Sequence, residues 1–232
     1  MNLIYAIKFG NRQHRQNLVM ATDRAIYART YVWNWKYLFK YEAASLLGRI
    51  FYNRRPSLRK PRLLHLGCGF TYLEGFVNAD FFFLRWIPLK KSAIKYDWLL
   101  DFRYRFNCPD NYWEGVFTEH TIEHLHYSDC LKLFKELRRT MKPGAWLRIC
   151  VPGLEGYMAL QQAGQSAAEI IYDLAQNWGH VSVWDASLFF TVLKDAGFDV
   201  MHEATYMQGA DERLLRDSKG RSTGSLYVEA QK

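Results

Sequence analysis

Two glycines and an acid follow short apolar runs in a spacing that suits nucleoside binding. Residues 63–66 lead into Gly67-Cys68-Gly69, and residues 76–79 lead into Asp80. Apolar runs of this length are typical of buried parallel strands, whose carboxyl ends face ligands in open α/β sheets. Glycines let the backbone approach a ligand, and the acid can accept hydrogen bonds from ribose hydroxyls. The pattern indicates a nucleoside-containing cofactor.

A second group of reactive side chains follows a later apolar run. His120, Glu123 and His124 share one face if their segment is helical, because they lie three and four residues apart. His120 is a candidate general base, since imidazole titrates near neutral pH. Glu123 and His124 have internal hydrogen bonds at a helix start as their alternative role. His180 is a second candidate base, with capping of the next helix as its alternative.

The elements that must position these residues alternate between strand and helix patterns, which predicts an α/β fold with a mostly parallel sheet. Strands are expected at 62–66, 76–80, 96–101, 113–118, 146–151, 198–201 and 225–230, and helices at 120–125, from 128 or 129 to 141, at 155–176 and at 184–196, with a turn at 142–144. Gly197 is expected just beyond the last helix, at C′. Only residues 67–75 separate the first two strands, so the first crossover has no room for a full helix.

Positive charge is concentrated at the start of the chain. Residues 1–62 hold 13 lysines and arginines against Asp23 and Glu42, a net charge of +11, so the other 170 residues carry −3 of the overall +8. We interpret residues 1–60 as a basic, aromatic helical extension and residues 61–232 as the main domain. The extension suits an anionic partner such as a membrane, a lipid-linked sugar or nucleic acid, or it packs on its own domain.

Composition also bounds the compartment. No apolar run reaches the ~18–20 residues of a transmembrane helix, and the N-terminus has no signal-peptide cleavage site. The four scattered cysteines are expected to be reduced and buried. We expect a cytoplasmic protein, with peripheral association at the inner membrane surface through residues 1–60 as an alternative.

Residues 62–230 resemble the class I S-adenosylmethionine-dependent methyltransferases, most closely a bacterial branch of small domains. The stretches that carry the resemblance follow the family's order and are His65-Leu66-Gly67-Cys68-Gly69, 75–80, 109–113, 118–125, 137–145, 195–198 and 225–230. The resemblance implies a doubly wound, seven-stranded, Rossmann-like sheet whose last strand is antiparallel. It also implies S-adenosylmethionine as the cofactor.

The resemblance further implies which residues contact that cofactor. Gly67 and Gly69 are expected near the methionine part, Asp80 at the ribose hydroxyls, and Asp101 with Phe102 at the adenine. The complete set is His65, Gly67, Cys68, Gly69, Asp80, Phe81, Asp101, Phe102 and Glu119. Helix capping or solvation is the alternative for Asp80 and Asp101. Similar quinone O-methyltransferases have a metal-linked Glu-x-x-Glu-His pattern, in which His120 here replaces the first glutamate. We therefore assign no metal, and a metal at Glu123 and His124 stays an alternative.

The activity implied is methyl transfer, and O-methylation of a sugar, glycan or small molecule is our first expectation. RNA methylation through the basic extension is the second, although no Asn-Pro-Pro-Tyr-type motif is present. A non-catalytic cofactor-binding scaffold is the third. It is kept open by the short first crossover and by Gly153, which stands where relatives often have an acid.

Overall fold

The computed structural model describes residues 42–43, 45–50, 62–81, 95–160, 166–176 and 179–232. Strands within these ranges are β1 (Leu63–Leu66), β2 (Phe76–Asp80), β3 (Trp98–Leu99), β4 (Trp113–Glu119), β5 (Met141–Pro152), β6 (Val200–Ala204) and β7 (Ser225–Gln231). They form a seven-stranded sheet in the order β3-β2-β1-β4-β5-β7-β6. β1 to β5 pair in parallel, and β7 is antiparallel to both β5 and β6. The predicted fold class and antiparallel last strand are confirmed.

Helices in the described part of the chain are α1 (Tyr127–Thr140), α2 (Leu154–Ala159), α3 (Ala167–Gln176) and α4 (Ala186–Asp195). Residues 42–43 and 45–50 are also helical. The rest of the predicted basic extension, including residues 1–41, lies outside the described residues. Short 3₁₀ turns are Ile122–His124, Glu212–Leu214 and Lys219–Arg221.

Several predicted boundaries are wrong for local reasons. The helix predicted at 155–176 is two helices, α2 and α3. α1 begins at Tyr127 with His126 as its N-cap, and not at the predicted caps, because the His126 carbonyl already accepts the N–H of Cys130 at 2.9 Å. The predicted turn at 142–144 lies inside β5, where pairing with β4 shifts register and Gly144 has a φ of +78°.

Other local predictions are confirmed. Residues 67–75 contain no helix and cross from β1 to β2 through turns. Gly197 has a φ of +98° and follows α4 at C′. Its N–H donates to Lys194 at 2.8 Å, and the next N–H, of Phe198, donates to Leu193 at 3.0 Å. This is a Schellman motif, in which glycine avoids the steric cost of the left-handed conformation.

The main core lies between the sheet and two helices. α1 buries Cys130, Leu133, Phe134 and Leu137, and α4 buries Phe189, Val192 and Leu193, both at helical spacing. The four cysteines are buried thiols, as expected. None of the helices in the described ranges is long and apolar enough to span a bilayer.

The segment between β6 and β7 is anchored by a buried charge network. Arg148 on β5 is fully buried and donates to Asp217 and Glu229, the latter at 2.8 Å. It also donates to the backbone carbonyls of Thr205 and Gln208, at 2.9 and 3.0 Å. These bonds hold the segment between β6 and β7 in place beside the carboxyl end of β4.

Candidate active site

The loop after β1 is held against β2 by its backbone amides. The N–H groups of Gly67 and Cys68 both donate to the carbonyl of Ala79, at 2.9 and 3.3 Å. The N–H of Gly69 donates to the carboxylate of Asp80 at 2.7 Å. The sequence therefore brings its first glycine motif and its acid into direct contact.

The two glycines of this loop meet different surroundings. Gly67 and Gly69 have φ values of +68° and +52°, a conformation that favours glycine. A Cβ on Gly67 would lie 1.9 Å from Oγ1 of Thr121, whereas a Cβ on Gly69 would meet no described atom within 4 Å. Gly67 thus packs on the turn after β4, and Gly69 is the point at which a ligand can approach the backbone.

The Asp80 carboxylate can accept the hydrogen bonds that ribose hydroxyls donate. One carboxylate oxygen accepts the Gly69 N–H and the other accepts the Phe81 N–H at 2.6 Å. Each oxygen has a second lone pair, and the Cys68 side chain is a further hydrogen-bond partner of this carboxylate. Burial raises the pKa of this carboxyl, and burial together with Asp80 raises the pKa of the neighbouring Cys68 thiol to about 12. Cys68 therefore stays protonated and is not a nucleophile.

The predicted adenine end of the site is partly closed by the helix at 45–50. A pocket here is lined by Ser45, Gly48, Arg49, Phe81, Leu99, Leu100, Asp101, Tyr104 and Arg105. Asp101 accepts from the Ser45 hydroxyl at 2.6 Å and from the Arg103 guanidinium at 2.7 and 3.0 Å. Burial raises the pKa of Asp101, but these hydrogen bonds outweigh it and hold the pKa below its ordinary value. Both Asp101 oxygens already accept hydrogen bonds from the protein. Phe81 is therefore the predicted cofactor residue in this pocket that remains available to a ligand.

Three other predicted cofactor residues have different partners. His65 is buried within β1, and its Nδ1 lies 3.0 Å from Oδ1 of Asn78. Phe102 is part of the main hydrophobic core. The Glu119 carboxylate accepts from the N–H and hydroxyl of Ser218, at 2.7 and 2.5 Å. The alternation of side chains along the strands and the contact with the loop after β6 explain these partners. A family motif does not predict either.

His120 lies at the same sheet edge as the glycine loop. It follows β4, has a φ of +49°, and precedes Thr121, which packs on Gly67. Its Nε2 is 3.0 Å from the Ser225 hydroxyl, and its Nδ1 is 3.6 Å from Oε1 of Glu123. Burial and the nearby Arg221 lower the pKa of His120 to about 4, so the ring is neutral at physiological pH.

Glu123 is the centre of a histidine cluster. It is 1% exposed, and neither carboxylate oxygen has a hydrogen-bond partner among the residues that the structure describes. His180 approaches from the other side, with its Nε2 3.9 Å from Oε1 of Glu123, and the His124 and His180 rings are 5.0 Å apart. Burial raises the pKa of Glu123 to about 8 and lowers the pKa of His124. The structure thus brings together both predicted catalytic histidines, 60 residues apart in sequence.

A second pocket, of about 270 Å³, adjoins this cluster at Ser225. Its lining is Gly153, Glu155, Gly156, Ala186, Glu203, Ser225 and Leu226. A Cβ on Gly153 would lie 2.8 Å from the Leu226 Cβ, so a larger residue does not fit there. The pocket's acids are Glu155 and Glu203 instead.

Sequence reasoning did not identify Ser45, Ser225, Glu155 or Glu203 as site residues. The first two act through partners 56 and 105 residues away. The only sequence signal for Glu155 is its position just after Pro152-Gly153, where β5 ends. Glu203 lies on a strand that pairs at the far edge of the sheet, and no local signal identifies it.

Comparison with known proteins agrees with this geometry. Residues 35–203 match the family model described as methyltransferase domain. Similar solved structures include S-adenosylmethionine-dependent methyltransferases from Thermotoga maritima (12% identity, 85% of this chain and 94% of that chain, TM-score 0.51) and Mesorhizobium loti (16%, 83% and 97%, TM-score 0.50). One from Archaeoglobus fulgidus has 17% identity, covers 86% of this chain and 100% of that chain, and has a TM-score of 0.48. No curated protein sequence matches the chain.

The likenesses to the Thermotoga maritima and Mesorhizobium loti structures, at such low identity, support the fold alone. The family model, however, covers well over half of the chain, and the matched residues, 35–203, include the glycine loop, Asp80 and the turn after β4. The chain therefore belongs to the methyltransferase-domain family, and it is an S-adenosylmethionine-dependent methyltransferase of the class I fold.

Proposed function

We propose that the enzyme methylates a hydroxyl group of a sugar, glycan or other small polyhydroxylated molecule. The observation that carries this proposal is the pocket beside Ser225, whose charged lining residues are Glu155 and Glu203. Carboxylates accept hydrogen bonds from hydroxyl groups. They repel phosphate, so the same pocket disfavours nucleic acid.

For the cofactor we propose Asp80 as the acceptor of the ribose hydroxyls, Gly69 as the point of close backbone approach, and Phe81 as the adenine contact. The free lone pairs of Asp80 and the open space at Gly69 support these roles. Gly67 and Cys68 shape the loop. His65, Asp101, Phe102 and Glu119 support the site through the partners described above, and we assign them no direct contact.

S-adenosylmethionine supplies a methyl group that is already activated for in-line displacement. The main task of the protein is therefore alignment of the acceptor oxygen. Ser225, bonded to His120, is suited to hold that oxygen at the mouth of the pocket. We propose that the neutral His120 ring receives the hydroxyl proton, with Oε1 of Glu123 3.6 Å from its Nδ1 and His180 on the other side of Glu123.

The second candidate function is RNA methylation, and the charge of the basic extension supports it. Residues 1–62 carry a net charge of +11, which suits phosphate groups of RNA or of a membrane surface. We keep residues 1–60 and 61–232 as the proposed division, with the described helix of the extension anchored through Ser45 to Asp101. A cytoplasmic location, with or without peripheral membrane association, stays a prediction.

The proposal is tested by a labelled-methyl screen over sugar, lipid-linked glycan and RNA fractions. We expect label in the hydroxyl-rich glycan fractions. Asp80→Ala should weaken cofactor binding in calorimetry at least about tenfold, because hydrogen bonds to a charged group contribute ~1.5–3 kcal/mol.

Matched acid variants separate the acceptor from the cofactor. Glu203→Gln should raise the KM for the acceptor and leave the Kd for the cofactor unchanged, whereas Glu212→Gln, an exposed acid outside the pocket, should change neither. Label confined to RNA, lost on deletion of residues 1–41, would replace this proposal with the second candidate. Unchanged cofactor binding in Asp80→Ala would refute the proposed ribose site.

A further inference from the structure

The cluster around Glu123 consists of a buried carboxyl group with the imidazole rings of His120 and His180 beside it. Within the described ranges, both Glu123 oxygens are buried without a hydrogen-bond partner. A buried carboxylate in this condition is costly unless a cation compensates it. The question is therefore which cation the surrounding side chains are arranged to hold.

The neighbouring histidines have their outer N–H groups fixed by the backbone. Nδ1 of His180 lies 2.7 Å from the carbonyl of Leu174, and Nδ1 of His124 lies 3.3 Å from the carbonyl of Gly179. A carbonyl only accepts, so Nδ1 carries the proton in both rings. The Nε2 lone pairs are left free, and that of His180 faces Glu123. Histidines that bind metals characteristically donate their other N–H to a carbonyl in this way.

The backbone also holds the three side chains together. The carbonyl of Glu123 accepts the N–H groups of Val181 and Ser182, at 2.8 and 3.1 Å. This clamp joins the segment that carries His180 to the turn that carries Glu123 and His124. One ligand atom from each of these three side chains lies within 4.8 Å of the others.

We propose that Glu123, His124 and His180 bind a divalent transition-metal ion. Ligand atoms around tetrahedral zinc are about 3.3 Å apart, given bonds of ~2.0–2.1 Å, so binding draws the three groups inward. The exposed His124 ring can make this adjustment. Two imidazoles and one carboxylate suit Zn²⁺, Co²⁺ or Fe²⁺, and not Mg²⁺, which prefers oxygen ligands.

The position of the site gives the ion access to the reaction edge. Three protein ligands leave coordination positions open, which is the arrangement of catalytic and not of closed structural sites. His120 lies directly beside it, with its Nδ1 3.6 Å from Glu123. The inference does not depend on the acceptor proposed above, because it concerns metal binding by the protein alone.

The test uses the full chain after chelator treatment and removal of the chelator. We expect Zn²⁺ to bind in calorimetry and to raise Tm, since a ligand that binds only the folded state stabilises it. Co²⁺ should bind with visible d–d absorption, and Mg²⁺ should leave Tm unchanged. Cofactor binding is measured separately in the same preparation, so failure of the methyltransferase site and of the metal site are distinguishable.

Three variants make the outcome specific. His124→Gln, at an exposed position, should weaken Zn²⁺ binding by more than the ~10–100-fold typical of changes to groups that only support a ligand. Glu123→Gln should do the same, and near-ultraviolet circular dichroism checks its fold. His126→Gln is the matched control, because this side chain makes no cap hydrogen bond and is outside the cluster. Absence of Co²⁺ absorption in the wild type, or equal Zn²⁺ affinity in His124→Gln and His126→Gln, would overturn the proposal.

Discussion

At the scale of single residues, Gly67 and Gly144 share a left-handed backbone but differ in their surroundings. Their φ values are +68° and +78°, so alanine is strained at both positions. At Gly144 the added Cβ meets no atom of the described ranges within 4 Å, whereas at Gly67 it would lie 1.9 Å from Thr121 Oγ1. The pair therefore separates backbone strain from steric exclusion.

We expect Gly144→Ala to lower the free energy of unfolding by about 1–2 kcal/mol, the cost of the left-handed conformation. Gly67→Ala should lower it by more, because the turn at Thr121 must also move. Only Gly67→Ala should weaken cofactor binding. Denaturant unfolding and calorimetry measure the two effects, and equal losses in both variants would contradict the role given to the Thr121 contact.

At the scale of elements, the helix at 45–50 matters because it closes a pocket that belongs to the sheet. Ser45 is fully buried and donates to Asp101, whereas its neighbour Leu46 is 51% exposed. Arg103 also links this region, since it pairs with both Asp101 and Glu42. The helix is therefore attached to the loop after β3 by polar bonds more than by apolar burial.

We predict that Ser45→Ala loosens this helix. Loss of one partner of a buried charged group costs ~1–3 kcal/mol, which should appear as faster hydrogen exchange in residues 45–50. Cofactor affinity should fall as well, because Ser45 lines the pocket with Phe81. Leu46→Ala is the adjacent control and should leave exchange and affinity near wild type. Identical behaviour of the two variants would show that the hydroxyl does not anchor the helix.

At the scale of the whole molecule, buried histidines make global stability depend on pH. Burial lowers the pKa of His65 from 6.5 to about 4. Between these values the unfolded chain binds the proton and the folded protein does not, so stability falls as pH falls from 6.5 towards 4. His120 acts in the same direction. Glu123, with its pKa raised to about 8, acts oppositely, and its contribution is lost as pH rises through 8.

His65→Asn should remove one such contribution. The wild type should lose up to about 3 kcal/mol more than the variant between pH 6.5 and 4, the amount that corresponds to the His65 pKa difference. Urea titrations at both pH values measure it. His126→Gln should keep the wild-type pH dependence, and a variant of His65 that also keeps it would contradict the assignment.

The sequence by itself determined the order of the elements, the helix-free first crossover and the glycine that ends α4. These three features rest on local chemistry: apolar runs, short spacings, and a backbone conformation that glycine adopts without strain. The antiparallel last strand was implied by the resemblance to the methyltransferase family. The contact between Gly69 and Asp80 could also be predicted, because adjacent parallel strands bring their carboxyl ends together.

Only the tertiary structure decided which polar groups are free to act. It placed the His65 ring in the core, paired Asp101 with Ser45, and directed His180 at a Glu123 carboxylate that has no hydrogen-bond partner in the described part of the chain. Each of these outcomes depends on a partner more than ten residues away in the sequence, or on the face of the sheet to which a side chain points in a strand that is buried on both faces. Local propensity carries no information about either, because both are fixed by packing of the complete sheet.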